Sequence, residues 1–191
     1  MKVVGINGSA RKGGNTAAMI QRVFTKLEAE GIETELIELG GKKMHGCLAC
    51  GKCAENKDRR CAVKNDFFNE CLEAMDAADG IILGSPTYFA TITTEMSALI
   101  DRAGMVGLVN GSMFARKVGA SVVTARRGGA MQTFNTLNSF FFIEQMVVPG
   151  SRYWNMGFGR EKGEVLNDAE GLETMDVLGQ NMAWLMKKLQ D

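Results

Sequence analysis

No apolar run in this chain approaches the roughly 18 residues that a membrane-crossing helix requires, so no membrane partner is expected. An excess of either charge is also missing. Lys and Arg total 22 and Asp and Glu total 22, giving a formal net charge of zero, so nothing here neutralises a nucleic-acid backbone. Only one histidine occurs, His45, and neither a Ser-His-Asp nor a Cys-His catalytic set is apparent. Repeats, low-complexity tracts and linkers are absent too, so residues 1–191 read as one domain large enough to bury its own core. Met1 to Ile6 enters a strand pattern at once instead of a cleavable leader, and a cytoplasmic protein is expected.

What is present is a strict alternation of strands and helices. Strands are expected at Lys2 to Ile6, Thr34 to Leu39, Gly80 to Gly84, Lys117 to Thr124 and Gln145 to Val148. Helices are expected from about Asn15 to Glu30 with Gly31 as the stop, from a cap at Asp66 to about Met75, at Thr94 to Ala103, at Met131 to Glu144 and at Ala169 to Lys188. Such alternation implies right-handed crossovers and an α/β three-layer sandwich, with helices on both faces of a parallel sheet. Five strands suit the order 2-1-3-4-5, whose ligands sit beyond the carboxyl ends of the strands where the order reverses.

Gly8-Ser9-Ala10-Arg11-Lys12-Gly13-Gly14-Asn15-Thr16 joins the first strand to the first helix, where a helix amino terminus favours an anion. Gly8 and Gly13 have triphosphate-loop spacing, but Gly14-Asn15 replaces the required Lys and hydroxyl residue. Gly5 and Gly8 are likewise misplaced for a dinucleotide fingerprint. A terminal phosphate monoester remains, with Ser9, Asn15 and Thr16 as donors and Arg11 as a planar cationic fork.

This loop, followed by Ser85-Pro86-Thr87-Tyr88-Phe89 and by Arg126-Arg127-Gly128-Gly129, resembles the NADPH-dependent FMN reductase branch of the flavodoxin-like superfamily. The resemblance covers nearly the whole chain. It implies a flavodoxin-like fold and FMN as cofactor, with Ser9, Arg11, Gly14, Asn15 and Thr16 on the phosphate. It places Pro86, Thr87, Tyr88 and Phe89 along the isoalloxazine, with a backbone amide near the reactive ring nitrogen. Thr124, Ala125, Arg126, Gly128 and Gly129 approach the pyrimidine edge, where negative charge develops on reduction and an arginine is either an electrostatic stabiliser or a solvated side chain.

Four of the five cysteines crowd into Cys47-Leu48-Ala49-Cys50-Gly51-Lys52-Cys53 and Cys61, within a loop insertion at 42–65 that shows no apolar periodicity. A disulfide framework is not expected of an intracellular chain. Soft thiolates select zinc or iron-sulfur clusters, and three crowded cysteines plus one favour the cluster over two separated zinc-binding pairs. Redox-active or merely buried thiols are the other reading. The spacing resembles the iron-sulfur flavoproteins, which implies a 4Fe-4S cluster on Cys47, Cys50, Cys53 and Cys61 that exchanges electrons with FMN. Cys71 reads as core packing and His45 as structural or solvated.

Ser151 to Gly159 is rich in aromatics and glycine, either as a cover for the flavin or as local packing against the last helix. The resemblance further implies a homodimer or homotetramer and a redox partner such as NAD(P)H, a quinone or ferredoxin. The expected function is an FMN-dependent oxidoreductase working with a 4Fe-4S cluster. A cluster-free NAD(P)H-dependent FMN or quinone reductase and a non-enzymatic electron carrier or redox sensor are the alternatives. No side-chain acid or base is expected, because the cofactor carries the chemistry.

Overall fold

Along β1 (Lys2–Asn7) successive side chains point to opposite faces, and both faces are covered. Val3 packs with Ile20, Phe24 and Leu27 of α1 (Asn15–Ala29) and with Leu178 and Met182 of α6 (Ala169–Lys188). Val4 and Ile6 face the opposite layer, built from α3 (Phe68–Ala77), α4 (Thr94–Val109) and α5 (Ala130–Ile143). The two cores therefore lie on either side of one sheet, as double burial of a parallel sheet demands.

The computed structural model describes residues 1–190. The sheet is five-stranded and parallel in the order β2-β1-β3-β4-β5, comprising β2 (Glu33–Glu38), β3 (Gly80–Pro86), β4 (Val118–Ala125) and β5 (Met156–Phe158) with β1. This is the flavodoxin-like order the alternation implied. Close helix–sheet approach depends on missing side chains: a Cβ on Gly5 would stand 2.7 Å from the Phe24 ring, and one on Gly84 2.5 Å from Ile20. Glycine at both positions lets α1 settle directly on the sheet.

The fifth strand is not where its apolar run suggested. Val147 makes only an isolated bridge to Val118, whereas Met156–Phe158 pairs with Val123 to Ala125. Gln145 takes a positive φ of 60° and so breaks the run; the chain touches the open edge of β4 at Val147, leaves it, and returns at Met156 to pair with the carboxyl end of β4. The stretch read as a flavin cover or as local packing therefore supplies the fifth strand. Helix α4 continues beyond Ala103 to Val109, and the 42–65 insertion contains a short helix, α2 (Lys52–Asn56). Asp66 stands one residue before the cap position, which Phe67 occupies; the Asp66 carboxylate accepts from the Phe68 amide, the first of α3, at 3.4 Å and also pairs with Arg102.

One carboxyl in the core has no partner. Glu144, at the end of α5, is fully buried with neither oxygen hydrogen-bonded, in space left by Gly104 and Gly107 of α4. Burial alone pushes its pKa up from 4.5 to about 7. Between those values the unfolded chain releases this proton and the folded chain keeps it, so stability falls as pH rises from 4.5 to about 7. The cost at higher pH is on the order of 3 kcal/mol. Glu144→Gln is expected to raise the melting temperature at pH 8 and to change it little at pH 5, measured by thermal unfolding at both.

Candidate functional site

The carboxyl ends of β1, β3, β4 and β5 open onto a cavity of about 300 Å³. It lies where the strand order reverses, with β1 paired to both β2 and β3. Its wall is formed by Ser9, Arg11, Asn15 and Thr16 after β1, by Pro86, Thr87 and Tyr88 at β3, and by Thr124, Ala125 and Arg126 at β4. Gly159, Arg160 and Lys162 after β5 complete it. Three separated segments singled out from sequence thus meet in one place. Of the fourth, Gly159 ends the stretch read as a flavin cover or local packing, whereas Arg160 and Lys162 were missed.

The loop after β1 is built by its own side chains. The Asn7 side-chain oxygen accepts from the Ser9 amide at 3.0 Å, the Ser9 hydroxyl from the Arg11 amide at 3.1 Å, and Glu38 from the Gly13 amide at 2.8 Å. Gly14 occupies the cap position of α1, and a Cβ there would lie 2.9 Å from the Arg11 carbonyl. No side chain caps α1, so its first-turn amides are left for an external acceptor. Arg11, Arg126, Arg160 and Lys162 add positive charge to the same wall.

Asn15 has a different task from the one its chemistry suggested. Its amide donates to the carbonyls of Gly159 and Glu161 at 3.1 and 3.0 Å, and its oxygen accepts from the Gly163 amide at 2.7 Å. It latches the 159–163 segment to α1 and has no donor left over. Thr16 and Thr124 share a hydroxyl–hydroxyl bond of 2.7 Å, which ties the start of α1 to the end of β4. The Thr87 amide donates to the Thr124 carbonyl at 2.7 Å, while the Thr87 hydroxyl is buried without a partner in this wall. An orphaned donor of that kind marks a place for a ligand atom.

Tyr88 and Thr91 exchange backbone hydrogen bonds across Phe89 and Ala90, both at positive φ (49° and 60°). This is a two-residue turn that normally takes Asn or Gly, and it turns Phe89 fully outward. Phe89, Gly14, Gly128 and Gly129 do not line the cavity. Gly129, at φ 85°, instead packs against Ala90 and fixes the spacing of the loops after β3 and β4.

A second cavity, of about 160 Å³, is lined by Cys47, Cys50, Cys53 and Cys61 together with Leu48, Met105, Val106 and Arg102. The thiols face one space, although among the described residues no three His, Cys, Asp or Glu side chains converge tightly enough to hold a metal ion as they stand. Burial pushes the Cys53 thiol up. Cys71 lies apart, fully buried in the α3 core, with its thiol pushed up to about 12 mainly by burial. Beneath this cavity the Arg102–Asp66 ion pair is buried. Burial opposes both charges, but their mutual hydrogen bonds prevail, holding the Asp66 carboxyl below its ordinary value and the guanidinium above its own.

A parallel sheet of order 2-1-3-4-5 with helices on both faces, and a cavity at the switch point, defines a flavodoxin-like protein. The sequence pattern of the family described as NADPH-dependent FMN reductase matches residues 1–161, and the chain belongs to that family of flavin-dependent oxidoreductases. It is 36% identical to an iron-sulfur flavoprotein of Methanocaldococcus jannaschii over the full length of both chains. It is 32% identical to an iron-sulfur flavoprotein of Methanosarcina thermophila, covering 100% of this chain and 97% of that one. Among solved structures the fold is shared with RosB, which carries a bound riboflavin-5'-phosphate derivative (TM-score 0.80, 17% identity, 100% of this chain and 80% of that one). No helix among the described residues is long and apolar enough to cross a membrane.

Replacing Asn15 by Ala removes the latch on the 159–163 segment. Faster hydrogen exchange at the Gly163 amide, with unchanged protection in β1, is expected together with a stability loss of about 1–3 kcal/mol in denaturant titration.

Proposed function

We propose that this chain is an FMN-dependent oxidoreductase that exchanges electrons between FMN at the strand-end cavity and a 4Fe-4S cluster on Cys47, Cys50, Cys53 and Cys61. The observation that carries the flavin half is the meeting of an uncapped helix start, Arg11 and the orphaned Thr87 hydroxyl in one wall. For the cluster half it is the gathering of four soft donors from separate points of the 42–65 insertion around one largely apolar cavity. Relatives named iron-sulfur flavoproteins, similar over the whole chain, support the same reading.

Ser9, Arg11, Thr16 and the α1 amides would hold the phosphate, and Gly14 would let the loop close around it. Asn15 acts indirectly, by holding Arg160 and Lys162 in the wall. Pro86, Thr87 and Tyr88 would wall the ring on one side and Thr124, Ala125 and Arg126 on the other, with Gly128 and Gly129 shaping that second loop. When bound, a flavin supplies interconversion between two-electron and one-electron transfer. The protein's part is to bind, orient and set charge, so no side-chain acid or base is assigned. NAD(P)H, a quinone or ferredoxin are the proposed partners, and a homodimer or homotetramer the proposed assembly.

A cluster-free NAD(P)H-dependent FMN or quinone reductase is the second reading, favoured by the cysteine sulfurs not converging as they stand. Anaerobic purification with flavin, iron and sulfide quantification separates the two. About one FMN, with about four iron and four sulfide per chain, is expected. FMN without iron or sulfide after reconstitution leaves the second reading, and failure to bind FMN overturns both. Cys50→Ala is expected to lose iron and sulfide and keep FMN. Arg126→Ala is expected to lower the flavin midpoint potential by about 30 mV, or roughly 1.4 kcal/mol for two electrons, in a spectroelectrochemical titration.

A further inference from the structure

Arg102 lies within α4, where the helix buries Leu99, Ala103 and Val106. Its side chain is 1% exposed, and Asp66 beside it is fully buried. A buried ion pair is a poor way to gain stability, since desolvation consumes most of the attraction. Its position suggests another role.

A guanidinium has five N–H donors in a fixed plane. One terminal nitrogen donates to the His45 carbonyl at 3.1 Å and to Asp66, and the other donates to the Val63 carbonyl and Asp66, each at 3.3 Å. The ring of Phe68 lies 3.9 Å from the guanidinium carbon. His45 and Val63 flank the cysteine segment on its two sides, so one side chain pins both ends of the insertion. The remaining donor, Nε–H, is buried with no partner. The same side chain forms part of the wall shared by Cys47, Cys50, Cys53 and Cys61.

We propose that Arg102 is the positioning and charge-compensating residue of the cysteine cavity. Its terminal nitrogens lock the flanks of the loop, and its Nε–H is reserved for a sulfur of the thiolate-held cluster. The inference rests on the cluster reading above. Asp66 neutralises the pair as a whole but binds only the terminal nitrogens, so the Nε–H edge keeps the positive end of a buried dipole; that end and its hydrogen bond to sulfur would both favour the more negative, reduced state. Arg102 lines the cysteine cavity and not the strand-end cavity, so its direct electrostatic influence falls on the cluster.

The test compares the wild-type chain with Arg102→Lys and with Arg102→Gln combined with Asp66→Asn, which removes both charges and leaves no orphaned carboxylate. Hydrogen exchange of residues 45–66 is followed in the cluster-free proteins. Cluster and flavin midpoint potentials are followed in the anaerobically reconstituted ones by electron paramagnetic resonance and absorbance. The double variant is expected to exchange at least tenfold faster in that segment. Its ratio of reduced to oxidised cluster at fixed poise should fall about tenfold, 59 mV for one electron, with the flavin potential unchanged. Arg102→Lys, which keeps the charge and loses the fork, is expected to restore the cluster potential in large part but not the exchange protection. Unchanged exchange overturns the lock. An unchanged cluster potential, or a flavin potential that shifts equally, overturns the charge role. A wild-type chain that takes up no iron or sulfide overturns the cluster reading itself, and the exchange measurement still decides the lock.

Discussion

Parallel pairing brings the carboxyl ends of all strands to one edge of the sheet, and the outgoing loops of β1, β3, β4 and β5 have to meet there. The reversal of strand order beside β1 keeps its outgoing loop from being covered by the neighbouring crossover. The cavity is thus a consequence of topology before any side chain is chosen. Side chains then make it specific. Four cationic residues sit in its wall, and α1 opens without a cap. A helix that finished its own first turn would have satisfied the amides that an anion needs.

Rigidity of this edge comes from short tethers between the loops. The Thr16–Thr124 bond, the Thr87 amide on the Thr124 carbonyl, and the Asn15 latch join four outgoing segments into one frame. The close seating of α1 at Gly5 and Gly84 sets the height of the loop after β1 over the sheet. Such a frame holds a ligand by preformed geometry and spends little binding energy on ordering loops.

The sheet order and the two loops around Ser9 and Thr87 were legible in sequence because strong periodicity and Gly-rich punctuation report them locally. The fifth strand was not. Three residues at an edge, one of them Gly157, carry no alternation, whereas the misleading Gln145 to Val148 run is more apolar. Asn15 shows a second limit. Its donor chemistry was legible, but its acceptors, Gly159 and Glu161, lie 144 and 146 residues away and only the fold reveals them. Arg102 left a fainter trace, a lone cation among the apolar residues of α4. Only the buried Asp66 and the cysteine cavity give it meaning.

Helix α4 links the two cavities mechanically. At its start Thr93 caps the helix through the Met96 amide and donates to the Gly8 carbonyl at 2.8 Å, so the loop after β1 rests on it. Nine residues on, Arg102 reaches the cysteine loop, and Asn110 at the far end donates to the Cys53 carbonyl at 3.3 Å. With a rise of 1.5 Å per residue, the two points of attachment at Thr93 and Arg102 stand about 13 Å apart along the axis. Thr93 is buried and also donates its amide to Ser85 at 3.1 Å, which anchors the helix to the end of β3. A movement of the cysteine loop large enough to displace Arg102 would therefore load the same helix that supports Gly8. The buried ion pair and the loop after β1 share one rigid element, and the separation of the two proposed redox sites is fixed by that element far more than by the loops around them.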